Sequence, residues 1–310
     1  MRWCGIVFAT LMLTGCALAE RQPTGLVNLA AAVERVRPAV VQIVLAAEGL
    51  PQEVEKRVGR SFLLGAIGTG FLVNEDGYVI TANHVMETGE RLIRESATVP
   101  AARKRLLVGL VQQVTAFSHP HFMQLEFDLI DTDPRHDLAL LKLRLNPFRG
   151  EVRGPIIAGK PTAIVVNTVM LRTARPKDGE PIGLSGYPLA NPVLITKGGW
   201  LATAWSLDVR APQQASNSGT LQAADVADSY LADIEVNNGN SGGPVYLAAT
   251  AEVIGVASSF VRAAIKNDAD QTVNLDGHAL TYSSGLAVVV PTHYVITLLR
   301  KNGVRWHGEQ

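Results

Sequence analysis

The stretch GTGFLVNEDGYVITANHV, residues 68–85, holds two short apolar runs split by a turn. Phe71-Leu72-Val73 and Tyr78-Val79-Ile80-Thr81 flank Asn74-Glu75-Asp76-Gly77, where Asp-Gly supplies the positive φ a tight hairpin needs. Working outward, Val40 to Val44, Leu138 to Leu143, Pro192 to Thr196, Glu252 to Ser258 and Gly285 to Val290 are further strand-like runs. Many short strands with few long helical patterns predict an all-β barrel or sandwich. Three segments read as helices. Leu26, Leu29, Val33 and Val36 make one apolar face that Pro38 ends. Leu107, Leu110, Val114 and Phe117 have helical spacing, so a helical insertion with a solvated basic face is expected over Glu90 to Phe117. Pro291 suits a first helical position and Gly303 a helix stop. Ala211 to Ser229 is polar and small-residue-rich, and reads as a surface loop.

Composition narrows the function classes. The 310 residues are 47% apolar and 18% charged, which excludes a wholly disordered or fibrous chain. With 28 basic against 28 acidic residues there is no electrostatic reason to expect nucleic acid. Met1-Arg2 followed by the apolar run Trp3 to Leu13 is too short for a membrane span of ~20 residues and reads as a signal peptide over 1–15. Leu13-Thr14-Gly15-Cys16 resembles the lipobox of bacterial lipoproteins, in which cleavage precedes the Cys and the Cys takes the lipid. Ala17-Leu18-Ala19 offers a second cleavage site that would release a soluble protein. The lipobox is the preferred reading, with 16–25 as anchor and linker. Ala17 then resembles the outer-membrane sorting class, facing the periplasm in a Gram-negative cell. Cys4 leaves with the signal peptide, so the mature chain holds Cys16 alone and no intramolecular disulfide.

Three segments carry the chemistry. Gly239-Asn240-Ser241-Gly242-Gly243-Pro244 presents a serine among glycines, which let a tight loop aim backbone N–H groups at one point. A serine hydroxyl needs a base to take its proton. Thr81-Ala82-Asn83-His84-Val85 places a histidine at a strand end, and Asp137-Leu138-Ala139-Leu140-Leu141 places a carboxylate at the head of an apolar run. The order His84, Asp137, Ser241 is the chymotrypsin triad order. Other candidates are weaker. His119 and His121 flank Pro120 without further ligands, and Asp131, Asp133 and Asp137 lack a calcium-loop pattern, so no metal site is expected. His136 is a decoy base, since strand neighbours point to opposite faces.

With GTGFLVNEDGYVITANHV (68–85), DLALLKL (137–143), IGLSGYP (182–188), GNSGGPV (239–245), EVIGVASS (252–259) and GLAVVVPTHYV (285–295), the chain resembles the HtrA/Deg branch of trypsin-like serine proteases. The resemblance runs from about Val27 to the C-terminus. It implies two six-stranded antiparallel β-barrels with the triad in the cleft between them, filling 26–310 with a boundary near 150–180. By motif, His84 is the general base, Asp137 orients it and Ser241 is the nucleophile. The backbone N–H groups of Gly239 and Ser241 form the oxyanion hole. No cofactor is implied, and the partners are unfolded or specific protein substrates. The resemblance admits a homo-oligomer.

The departures are equally legible. The closing strands and helix use up the residues after Ser241, so no PDZ domain is expected. Glu235, six residues before Ser241, stands where trypsin-like enzymes place a residue in the base of the primary pocket, and a carboxylate there would favour Lys or Arg. Gly239-Asn240-Ser241-Gly242-Gly243 also satisfies the α/β-hydrolase elbow, and Asp276 and His293 could complete its Ser, Asp, His order. Pro244 and the β-leaning Val245-Tyr246 directly after the serine argue against that fold. The expected function is an extracytoplasmic serine endopeptidase acting in envelope protein quality control. The alternatives are a processing protease for one partner, or an inactive or activator-dependent scaffold.

Overall fold

The N-terminal apolar stripe folds as α1 (Leu29–Val36), whose first turn is closed by the Asn28 side chain accepting the Ala31 N–H. It buries Ala32, Val33 and Val36, and a 3-10 turn at Arg37–Ala39 replaces the abrupt stop expected at Pro38. The structure, a computed structural model, describes residues 28–48, 61–95, 103–112, 121–154, 156–157, 160–191, 193–207, 228–275 and 278–309. The signal peptide, Cys16, His119 and Asp276 lie outside the described residues.

The first half contains β1 (Val40–Glu48), β2 (Ser61–Leu72), β3 (Tyr78–Thr81), α2 (Asn83–Glu95), β4 (Arg103–Gln112), β5 (His121–Leu125), β6 (Phe127–Asp133) and β7 (Leu138–Leu143). Their order in one sheet is β5-β4-β1-β2-β3-β7-β6. The expected first barrel is therefore a seven-stranded sheet whose two edge strands follow each other in the chain. Only Glu126 separates β5 from β6, so the sheet must curl until its edges meet at that residue. Counted as one strand bent at Glu126, β5 and β6 restore a six-stranded wall. Arg105 from β4 and Arg144 beyond β7 both pair with the Glu126 carboxylate, at 2.5 and 2.8 Å.

The helical insertion requires correction. Helix α2 takes in Glu90 to Glu95, but β4 follows and pairs antiparallel with β1. Leu107, Val108 and Leu110 are all buried, with Leu107 packed on Val44 and Ala46 and the other two in the main core. A strand covered on both faces reads as a near-continuous apolar run, and the three-residue spacing within it imitates a helix.

After a two-strand ribbon of β8 (Ile156–Ile157) and β9 (Lys160–Pro161), the second half closes fully. Its strands are β10 (Pro181–Gly186), β11 (Ile195–Leu207), β12 (Asp228–Asp233), β13 (Pro244–Leu247), β14 (Val253–Ala264) and β17 (Thr281–Pro291), ordered β10-β11-β12-β17-β14-β13. β15 (Asn274–Leu275) and β16 (His278–Ala279) form a small ribbon between β14 and β17. Leu184, Leu201, Tyr230, Val245, Ile254 and Val289 fill the barrel. The polar loop is shorter than its composition suggests, since Asp228 and Ser229 already belong to β12. The closing helix α3 (Thr292–Lys301) starts one residue later than expected, with Pro291 as its cap, and stops at Gly303, φ +65. It packs back on the first half: Lys301 and the Asn302 amide reach Asp131 of β6 at 2.8 Å each. The architecture is all-β and chymotrypsin-like, two β-barrel halves with few helices.

Candidate active site

The β2–β3 hairpin sets the histidine. The Asn74 side chain accepts the N–H groups of Asp76 and Tyr78, and Gly77 takes φ +83, as the Asp-Gly turn requires. β3 then runs into α2, whose first turn carries His84. Asp137 meets it from the turn between β6 and β7. One carboxylate oxygen accepts the His84 backbone N–H at 2.9 Å and the other faces His84 Nδ1 at 2.9 Å. Asp137 thereby satisfies an otherwise orphaned donor at the start of α2 while holding the imidazole edge. Its backbone lies in the left-handed region, φ +55, a conformation Asp tolerates better than most residues. The Ser258 hydroxyl donates to the same carboxylate. Burial pushes the Asp137 carboxyl up, but the hydrogen bond and charge of His84, with the Ser258 hydroxyl, outweigh it and hold the group below the usual carboxylate range. The acid is mostly buried and the His84 ring half-exposed, open on its far side.

The serine loop is built from close approaches. Gly242, at φ +86, lies so near β2 that a Cβ would sit 2.1 Å from the Thr69 carbonyl oxygen. At Gly239, φ +99, a Cβ would meet the Tyr187 carbonyl oxygen at 2.4 Å. Turn bonds fix the intervening peptides: Asn240 N–H to Asn237 O at 3.0 Å, Gly243 N–H to Asn240 O at 2.9 Å, and Leu189 N–H to Asn238 O at 2.7 Å. The last two carbonyls precede Ser241 and Gly239. A trans peptide carries its N–H opposite its carbonyl, so the N–H groups of both residues point away from these bonds. Among the described residues neither N–H has a protein acceptor. The Ser241 hydroxyl donates to the Ser258 carbonyl at 3.0 Å rather than to His84.

The remaining candidates disperse. Glu235 is largely exposed and bonded to Lys197 of β11 at 2.6 Å, so its charge is met by the chain's own lysine. That hydrogen bond holds its carboxyl below the usual range. His136 faces Asp133 at 2.5 Å and stacks on Tyr294, away from the triad. His293 approaches Asp228 at 3.5 Å. His121 lies in β5, and no group of three metal-ligating side chains occurs among the described residues. Two residues escaped the sequence reading. Ser258 sits inside the quoted EVIGVASS run and Thr69 inside GTGF, and nothing in either run singles out those hydroxyls.

The chain is 26% identical over 280 residues to a probable periplasmic serine endoprotease DegP-like of Pseudomonas putida (strain GB-1), covering 81% of the chain and 47% of that protein. Similarly described proteins of Pseudomonas fulva (strain 12-X) and Brucella suis biovar 1 (strain 1330) are each 28% identical, over 64% and 62% of the chain. The chain spans less than half the length of these relatives. The family model for the trypsin-like peptidase domain matches residues 68–256, a span that takes in His84, Asp137 and Ser241. With that match running across both halves of the molecule, the chain belongs to the trypsin-like peptidase family.

Proposed function

We propose that the chain is a serine endopeptidase that cleaves proteins through an acyl-enzyme on Ser241. The observation that carries this reading is the junction of the Asp137–His84 pair with a serine loop that leaves the Gly239 and Ser241 N–H groups without protein acceptors. In the proposed cycle Ser241 Oγ attacks the scissile carbonyl carbon while His84 Nε2 takes the hydroxyl proton. The C=O electrons move to oxygen, facing the two free N–H groups. Collapse breaks the C–N bond, and the leaving amine departs with the proton from His84. Water, activated by the same base, hydrolyses the ester and restores Ser241. Asp137, ionised across the neutral range, holds the ring and stabilises its cation. Glu235 is paired with Lys197, so a basic substrate side chain would have to displace that lysine to use its charge.

Export, anchoring through Cys16 and a role in protein quality control of the envelope belong to the same reading, supported by the leader sequence and by the periplasmic relatives. One observation favours a second reading, activity only in a complex: the Ser241 hydroxyl rests on the Ser258 carbonyl and must turn to reach His84. The test is a fluorophosphonate probe, with unfolded casein in parallel, applied to the full chain, Ser241→Ala and His84→Ala. Labelling and cleavage by the parent that are lost in both variants are expected. A folded parent that takes no label and cuts nothing gives way to the activator-dependent or scaffold reading.

A further inference from the structure

One buried hydroxyl from the first half of the molecule grips the serine loop of the second. Thr69, on β2, has no exposed surface. Its Oγ1 donates to the Gly239 carbonyl at 2.6 Å and accepts the Tyr187 N–H at 3.0 Å. Its backbone is engaged as well: the N–H donates to the Ser241 carbonyl at 2.9 Å, and its carbonyl accepts the Thr81 hydroxyl at 2.6 Å.

The first of those two side-chain bonds falls directly on a hinge. Gly239 lacks a Cβ and has little intrinsic resistance to rotation of its flanking peptides. Among the described residues, the preceding peptide is held from the Asn238 carbonyl alone, by the Leu189 N–H. The following peptide is held by Thr69 on the Gly239 carbonyl. Leu189 is itself in the left-handed region, φ +55, a conformation a leucine keeps only when its surroundings impose it. The Thr69 hydroxyl supplies part of that constraint, because it also holds Tyr187, two residues before Leu189. A single oxygen therefore sets both the segment that pins the Asn238 carbonyl and the glycine whose N–H that carbonyl aims.

We propose that Thr69 is a positioning residue for the oxyanion donors, keeping the Gly239 N–H aimed at the place where negative charge develops. The inference rests on the proposed triad and assigns to β2 a role in the chemistry of a loop it does not belong to. Losing one well-aimed oxyanion donor costs about 10²–10³ in rate, and a mis-aimed one costs part of that.

The test is saturation kinetics of a fluorophosphonate probe on the full chain. In that reaction the Ser241 Oγ–P bond forms as His84 takes the hydroxyl proton, P–F breaks, fluoride leaves, and the phosphoryl oxygen occupies the oxyanion site. Thr69→Val, nearly isosteric but without the hydroxyl, is expected to lower the maximal labelling rate roughly 10- to 100-fold while the probe's Ki stays within about threefold. Thr69→Ser is expected to restore the rate to within about threefold. Thr292→Val removes a buried hydroxyl bond, to the Arg172 carbonyl at 2.7 Å, that does not involve Thr69 or the serine loop, and serves as the control for lost stability. If Thr69→Val does not fold, Thr69→Ala carries the same comparison. A labelled parent whose hydroxyl-free variants keep its maximal rate, or slow no more than Thr292→Val at equal melting temperature, overturns the role of Thr69 alone. A parent that takes no label overturns the triad reading, and the role of Thr69 with it.

Discussion

Asp137 concentrates three demands in one side chain. It caps α2, orients His84 and accepts the Ser258 hydroxyl, all from a left-handed backbone. Because these donors favour the ionised form, its carboxyl lies below the ordinary value despite burial. A depressed folded value means the stabilisation is present in full above the unfolded carboxylate pKa of about 3.9 and is lost as pH falls through the lower folded one. Asp131, held down by Lys301 and Asn302, adds to the same slope. The urea midpoint of the protein is thus expected to drop as the pH falls below about 4. Ser258→Ala, which removes one donor to the charged form, should flatten that drop. An unchanged acid slope in the variant would show that the hydroxyl does not favour the carboxylate. The roles of His84, Asp137 and Ser241 could be read from motifs because each lies in a run of fixed chemistry. Thr69 and Ser258 could not, since a hydroxyl in a β-run is ordinary until the fold shows what it touches.

Among the elements, α3 joins the two halves most directly. Its Tyr294 ring stacks on His136, with centroids 3.7 Å apart, and its hydroxyl donates to Asp228 of β12 at 2.5 Å. Burial first, then the neighbouring Asp228, pushes the tyrosine hydroxyl up to about 12, so it remains a donor throughout the working range. Tyr294→Leu loses both the stack and a charge-assisted hydrogen bond. We expect about 3 kcal/mol of destabilisation, roughly 6–12 °C in melting temperature by calorimetry. Lys301→Ala, whose ammonium is mostly exposed beside Asp131, should change it little. The sequence marked α3 clearly through its proline and glycine boundaries, and β7 and the β2–β3 hairpin through apolar runs and turn residues. It misled at β4, where Leu106 to Val111 is apolar on both faces. Burial on both sides erases the alternation by which a strand is recognised, and only pairing with β1 resolves it.

At the scale of the whole molecule, the many short strand-like runs pointed to an all-β barrel or sandwich, and the two-barrel plan came from the family resemblance rather than from their spacing. Closure of the first half could not be read from those runs, because strand order is a long-range property that no local pattern encodes. The proposed N-terminal leader belongs to this scale too, since it would direct where the folded domain works. Cys16→Ser is expected to move the protein from the membrane to the soluble envelope fraction and to abolish labelling by a palmitate analogue; membrane retention by the variant would oppose the anchor. The seam at Glu126 carries a different consequence. A closed barrel hides every strand edge by pairing, whereas here the two edge strands are joined only by the chain passing without interruption from β5 to β6. A single cut at that residue would let the two edge strands, five and seven residues long, part from each other, and each would then offer its outer N–H and C=O groups to another chain. If the chain is the protease proposed above, self-digestion at this corner and exposure of both edge strands would be one event, at the residue where Arg105 and Arg144 converge on one carboxylate.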